Sequence, residues 1–157
     1  MNTNPDIYVP AGESGHDQYE VDITQQRAGW TWSSIKVVKL DAGGELSYDT
    51  GDDEILVLPL NGGCTIEVDG QTRELVGRPS VFEAISDFCY IPRHTTVKIS
   101  SAEGGRFALP GAIAASDLPV AFYGTDHVDV SLRGTGDCSR QVNNYALNNG
   151  VSTSHLL

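Results

Sequence analysis

The sequence predicts an all-β fold of the jelly-roll or sandwich kind. Short strand candidates recur about every 8–12 residues, separated by glycine- or asparagine-bearing turns. No apolar stripe with a 3.6-residue period persists anywhere, and Ala112 to Ala115, held between Pro110 and Pro119, is too short for a stable helix.

Residues 1–29 show little periodicity, and Gly12-Glu-Ser-Gly15-His16 reads as an irregular lead-in, so the domain proper is expected over residues 30–157. Ile35 to Leu40 is a strand candidate ended by the turn cluster Asp41-Ala-Gly-Gly44. Leu46 to Thr50 follows, stopped by the acidic turn Gly51-Asp-Asp53. Glu54 to Leu60 is a continuous apolar run, as in a strand covered on both faces. Pro59 cannot donate to a ladder, which predicts an edge or a bulge there. Asn61-Gly62 accepts the positive φ angles of a tight turn, so a hairpin is expected before Cys64 to Val68. Asp69-Gly70 is a second such turn, and Gln71 to Leu75 is the returning strand. Ser80 to Phe82, Cys89 to Ile91, Thr95 to Ile99 and Arg106 to Leu109 complete the set.

A chain of 157 residues fits one domain and is long enough to fold without a metal or disulfide. Its 21 Asp and Glu outweigh 10 Lys and Arg, a net charge of −11. Nucleic acid needs a basic face, and none is present, so no nucleic-acid partner is expected. The acidic surface also opposes anionic membranes, and an acidic ligand would have to be gripped by a few arginines. Cys64, Cys89 and Cys138 form no C-x-x-C pair and read as reduced thiols. Met1 to Asp6 lacks a signal-peptide pattern, and no apolar run approaches the ~20 residues of a membrane span. A cytoplasmic protein without a membrane partner is expected.

Gly43-Gly44 followed by Tyr48, Thr50 and Glu54 resembles the first sequence motif of the cupins, which are small jelly-roll β-barrels. Tyr48 and Thr50 stand where its two histidines usually do. Tyr90-Ile-Pro92-Arg-His94-Thr-Thr-Val97 resembles the second motif, with Val97 in the histidine's place. Of the four usual metal ligands only Glu54 is kept. Longer strings resemble the 5-deoxy-glucuronate isomerase family: Gly29-Trp30-x-Trp32, Thr50-Gly-Asp-Asp-Glu54, Val57-x-x-Leu60, Val68-Asp-Gly70, Gly77-Arg78-x-Ser-Val-Phe82 and Tyr90-x-Pro92-Arg93. Arg133-Gly-Thr-Gly136-Asp-Cys-Ser-Arg140-Gln-Val142-x-Asn144 adds to them.

That resemblance implies a tandem of two cupins and an aldose–ketose isomerisation of a sugar acid in inositol catabolism. It places a divalent metal in the second cupin and none in this chain. The strand that opens the second cupin would start at His155-Leu-Leu157, so the resemblance implies a truncated frame, the N-terminal half of a bicupin. The alternative reading is a stand-alone metal-free cupin that binds a sugar acid or dimerises through its sheet edges.

Candidate substrate contacts follow from these strings and from charge. Asp52 and Asp53 read as a solvated turn, whereas Glu54 is expected at a strand start facing the barrel mouth. Arg78, Arg93, Arg133 and Arg140 could each grip a sugar-acid carboxylate bidentately or pair with a surface carboxylate. Of these Arg78, Arg93 and Arg133 are carried as contacts, with Tyr90 and with His94 in its pre-strand loop. Trp30 and Trp32, two apart, are expected to cover the barrel or to stack on a sugar. No nucleophile elbow, Walker loop or H-E-x-x-H is present, and no catalytic residue is assigned.

Overall fold

A computed structural model describes residues 8–147 and 149–156. Strand β1 (Tyr19–Ile23) and a one-turn helix α1 (Gln25–Ala28) come first. Then follow β2 (Ser33–Leu40), β3 (Gly44–Asp49), β4 (Asp53–Val68), β5 (Gln71–Arg78), β6 (Phe88–Ile91), β7 (Thr96–Ser101) and β8 (Gly105–Ile113). Strand β9 (Ala121–Tyr123) and a separate antiparallel pair, β10 (Asp129–Arg133) with β11 (Arg140–Asn144), end the order. The all-β expectation holds. The lead-in differs: β1 pairs with β2 along Ile35 to Val38, so among the described residues only 8–18 precede the first strand. Its regular part escapes a periodicity reading because it is five residues long and half-buried throughout.

Helix α1 is short for local reasons. The Thr24 hydroxyl accepts the Arg27 N–H at 3.2 Å as an N-cap, and Gly29, at φ +67°, closes the other end one turn later.

Two sheets share β4. Its first half lies in the order β1-β2-β8-β4-β6-β9, and its second half pairs with β5 and β7, the latter also pairing with β3. Asn61-Gly62 is therefore no hairpin turn. It lies inside a 16-residue strand whose register slips between Pro59 and Asn61 and again between Gly62 and Cys64. The bulge expected at Pro59 is present, and it bends the strand instead of ending it. Asp69-Gly70 forms the expected turn, with both φ angles positive, at 49° and 72°. Ser80 to Phe82 is not a strand but a turn, with the Phe82 ring 96% exposed.

Inside the barrel Val38, Leu40, Ile55, Val57, Ile66, Cys89, Ile91, Val97, Ile99, Phe107 and Leu109 are fully or almost fully buried in one cluster. Burial pushes the Cys64 thiol up to about 12 and the Cys89 thiol higher still, so both sit as small apolar residues. All three cysteines are free, and Cys138 is exposed. A second cluster lies on the outer face of β4 and β6. There Leu56, Phe88 and Tyr90 are covered by the arm after β8, through Leu118, Tyr123, Val128, Tyr145, Ala146, Val151 and Leu156. Each large apolar side chain buried this way contributes roughly 1.5–3 kcal/mol.

The bend of β4 depends on backbones that touch. At Gly77, φ +71°, an added Cβ would lie 1.9 Å from the Gly62 carbonyl oxygen. Gly70 has nearly the same φ, 72°, but open space around it. Gly70→Ala should cost about 1–2 kcal/mol of backbone strain, whereas Gly77→Ala should cost about 3 kcal/mol or more, because strain and a backbone clash combine. Urea unfolding with unchanged slope checks this pair; equal midpoints would show that the strands do not meet at Gly77.

Candidate functional site

Strand alternation sends neighbouring residues of β4 to opposite sides of the sheet. Ile55 and Val57 face the interior, opposite Ile91 and Cys89, while Leu56 stands opposite Tyr90 on the outer face. Asp53 thus shares the parity of the interior, and Glu54 that of the outer face.

At the inner end a polar cluster has formed that sequence reading missed. Gln25 from α1 donates to both Asp53 oxygens, at 2.9 and 3.0 Å, and the Ser34 hydroxyl donates to one of them at 3.0 Å. Gly111, opposite Ser34, leaves the space: a Cβ there would lie 2.7 Å from the Ser34 Oγ. Asp53 is therefore no solvated turn residue. Burial, and after it the Asp53 charge, raises the Tyr48 phenol above its ordinary range. The signal for this cluster was weak because Gln25 and Ser34 lie nine positions apart on different elements.

Around it, the Thr50 hydroxyl donates to the Pro92 carbonyl at 2.9 Å and accepts the Thr95 N–H at 3.0 Å. Val97 pairs across from Tyr48 and is wholly buried. Trp30 and Trp32 are 51% and 54% exposed, so neither closes the barrel. Trp32 meets the His155 ring edge-on at 5.3 Å.

The outer face holds Glu54, which does not look into the barrel mouth. The turn at Gly51-Asp52 precedes β4 by so little that Asp53, not Glu54, takes the inward place. Glu54 is fully buried, with a complete set of donors on both oxygens. Oε2 accepts from the Tyr90 hydroxyl at 2.7 Å and the Ser154 N–H at 2.8 Å. Oε1 accepts from the N–H groups of His155 at 2.6 Å and Leu156 at 2.7 Å. Burial, then the bond to Glu54, raises the Tyr90 phenol. His155 Nδ1 also bonds the Ile113 carbonyl at 2.7 Å.

Arg78 is buried too, against the expectation of a surface pair. Its Nε donates to the Pro59 carbonyl at 2.9 Å, and its Nη1 donates to the Ala84 carbonyl at 3.2 Å and the Tyr145 hydroxyl at 3.0 Å. Arg93 does pair with a surface carboxylate, Asp117, at 2.5 Å, and its Nη1 reaches the Ala114 carbonyl at 3.0 Å. That bond holds the Asp117 carboxyl below its usual range. His94 follows, exposed, at φ +56° and 3.8 Å from Asp52. Arg133 lies far along the fold, on the exposed β10–β11 pair, with Ser131 at 3.3 Å; Arg140 bonds the Cys138 carbonyl at 3.4 Å. The six candidate contacts are thus not assembled into one site. Glu54 and Tyr90 meet; Arg93 and His94 adjoin on a rim loop; Arg78 and Arg133 stand apart.

These residues do not fit a divalent cation at the cupin position. Tyr48 and Val97 offer no carboxylate or imidazole, Thr50 is spent on backbone, and Asp53 faces N–H and O–H donors. Among the described residues no three His, Cys, Asp or Glu side chains gather as a metal site.

Comparison with known proteins agrees with the fold and decides the family. The KduI/IolB family model matches residues 7–157. The chain belongs to the KduI/IolB family. A 5-deoxy-glucuronate isomerase of Geobacillus kaustophilus (strain HTA426) is 24% identical over 140 residues, covering 88% of this chain and 51% of its own length. One from Geobacillus thermodenitrificans (strain NG80-2) is 27% identical over 126 residues, covering 79% and 46%. This KduI/IolB chain therefore spans about half the length of those relatives. The crystal structure of an IolB-like protein from Salmonella typhimurium LT2 superposes with a TM-score of 0.78 at 26% identity, over 83% of this chain and 51% of that one. A cupin protein of Bacteroides fragilis, at 19% identity and TM-score 0.50, covers 76% of this chain and 91% of its own, and shares the fold alone. No helix among the described residues is long and apolar enough to cross a membrane.

Removing Arg78 leaves the Pro59 and Ala84 carbonyls without their partner, at a cost of about 3 kcal/mol in Arg78→Ala. Arg93→Ala should leave the urea midpoint unchanged, since its pair is at the surface. A larger shift for Arg93 than for Arg78 would reverse the assignment of the buried and surface arginines.

Proposed function

We propose that this chain is the N-terminal cupin of a 5-deoxy-glucuronate isomerase-like protein, where it scaffolds a second cupin that carries the chemistry. One observation carries the reading: the positions of the cupin metal pattern are Tyr48, Thr50 and Val97, packed or bonded within the fold, in a chain of the KduI/IolB family. Aldose–ketose isomerisation moves a proton between adjacent carbons and needs a base and an electrophile for the enediolate charge. A divalent metal bound in the second cupin would supply that electrophile. In this half, Arg93 and His94 are the candidate contacts that stand side by side, His94 exposed and Arg93 half-buried on Asp117. They are the side chains offered to an acidic sugar at the joint of the two cupins. On this reading the protein would serve inositol catabolism in the cytoplasm, and its net charge of −11 supports neither nucleic acid nor an anionic membrane as partner. Two copies can pair along an open edge such as β1, which has only β2 as its strand neighbour among the described strands.

The isolated chain should hold no stoichiometric divalent metal and show no isomerase turnover. Finding about one tightly bound metal per chain by elemental analysis would overturn the reading. Calorimetric titration with glucuronate separates the stand-alone alternative: saturable heat that Arg93→Ala abolishes identifies a sugar-acid binding module, and no heat supports the scaffold.

A further inference from the structure

Among the described residues the Glu54 carboxylate is the most buried charge, and no cation pairs with it. Its oxygens accept three successive backbone N–H groups, Ser154 to Leu156, at 2.6 to 2.8 Å, from residues 100 to 102 positions away. Such a row of amides is a ready anion cradle, here filled from within the chain. Tyr90 completes the set from β6. Around the cradle, the Ser154 hydroxyl accepts the N–H groups of Ala115 at 2.8 Å and Ser116 at 3.2 Å. His155 bonds the Ile113 carbonyl at 2.7 Å and meets Trp32 edge-on. Every one of these contacts ties residues 154–156 to the starts and ends of barrel strands, whereas the preceding stretch leans on the outer face through apolar contacts of Tyr145, Ala146 and Val151.

We propose that Glu54 is a positioning residue: with Tyr90 it latches the Ser154–Leu156 backbone to the outer face of β4 and so sets the place and direction in which the chain leaves the barrel. The carboxylate that sequence likeness assigns to a cation is used on a segment of the chain itself. Charge is essential to the latch, because a neutral amide at this place would turn an N–H toward amides that need an acceptor. The latch opens separately from the barrel, since the arm it holds adds no strand to the sheets after β9. It does not rest on the isomerase reading, and either can fail alone.

Site-resolved amide exchange on the 157-residue chain tests it. In the wild type the amides of Ser154, His155 and Leu156 should exchange far more slowly than unprotected amides. Glu54→Gln keeps the volume and should speed exchange there by about 100-fold, with Val57 and Phe107 in the barrel nearly unmoved. Tyr90→Phe removes the hydroxyl that steadies the carboxylate and should speed exchange of the same three amides, by less than Glu54→Gln does. Added Mn2+ should leave their resonances sharp. Unprotected wild-type amides, a Glu54→Gln effect spread evenly over the barrel, or selective broadening of these resonances by Mn2+ would each overturn the latch. If Glu54→Gln fails to fold, the wild-type rates and the Mn2+ titration still decide.

Discussion

Strand β4 has to belong to two sheets at once, and the closed shape of the barrel depends on how it bends between them. Pro59 cannot donate to the ladder, and the slip it causes turns the strand by one residue. A few residues on, Gly62 and Gly63 run so close to Gly77 that no side chain can stand at the crossing. The same 16 residues then pair with β6 and β8 on one side of the bend and with β5 and β7 on the other. With the bend in place, Ile55, Val57, Cys64, Ile66 and Val68 all reach one interior, together with buried residues of five other strands, β2, β5, β6, β7 and β8. Straightening it would send half of that set to the outside.

Because the first half of β4 is covered on both faces, its outer side had to be furnished as well. The arm after β8 supplies an apolar layer, and two charges sit under it. Arg78 reaches Tyr145, whose hydroxyl also accepts the Ser86 N–H at 3.2 Å, while Glu54 takes the amides near the end of the arm. Burying a lone charge is costly unless dipoles surround it, and here carbonyls meet the guanidinium and N–H groups meet the carboxylate. The two charges do not face each other. Each is neutralised by backbone, which also explains how an acidic chain keeps a buried carboxylate without a cation beside it.

Much of the fold was legible in the sequence because strand length and turn chemistry are local. Asp69-Gly70 turns as its φ demands, and Thr95 to Ile99 alternates as written. Asn61-Gly62 was misread because the same dipeptide serves a turn or a bulge, and only the partner strands decide which. Ser80 to Phe82 has strand-forming residues, yet the neighbouring Asp87 carboxylate caps the Val76 and Gly77 amides at 2.7 and 2.9 Å and lets the chain loop away. The candidate site was far less legible. Gln25, Ser34 and Asp53 make one cluster only after α1, β2 and β4 have come together, and Glu54 meets Ser154 across 100 residues. No local pattern encodes such pairings.

The fate of Glu54 shows why a motif can persist while its chemistry does not. In a strand the side-chain period is two, so one residue more or less in the preceding turn moves every side chain to the opposite face. Here Gly51-Asp52 makes the turn, and Asp53 begins the strand on the inward side. Glu54 keeps its place in the string of letters but looks outward, toward the arm. A histidine restored at Thr50 or Val97 would still find no carboxylate from Glu54 beside it; Asp53 would be the inward acid, and it is already held by Gln25 and Ser34. Regaining a metal in this barrel would thus require both new imidazoles and the removal of the α1 glutamine that fills the acid's coordination sphere. The outward Glu54 would stay bound to the arm.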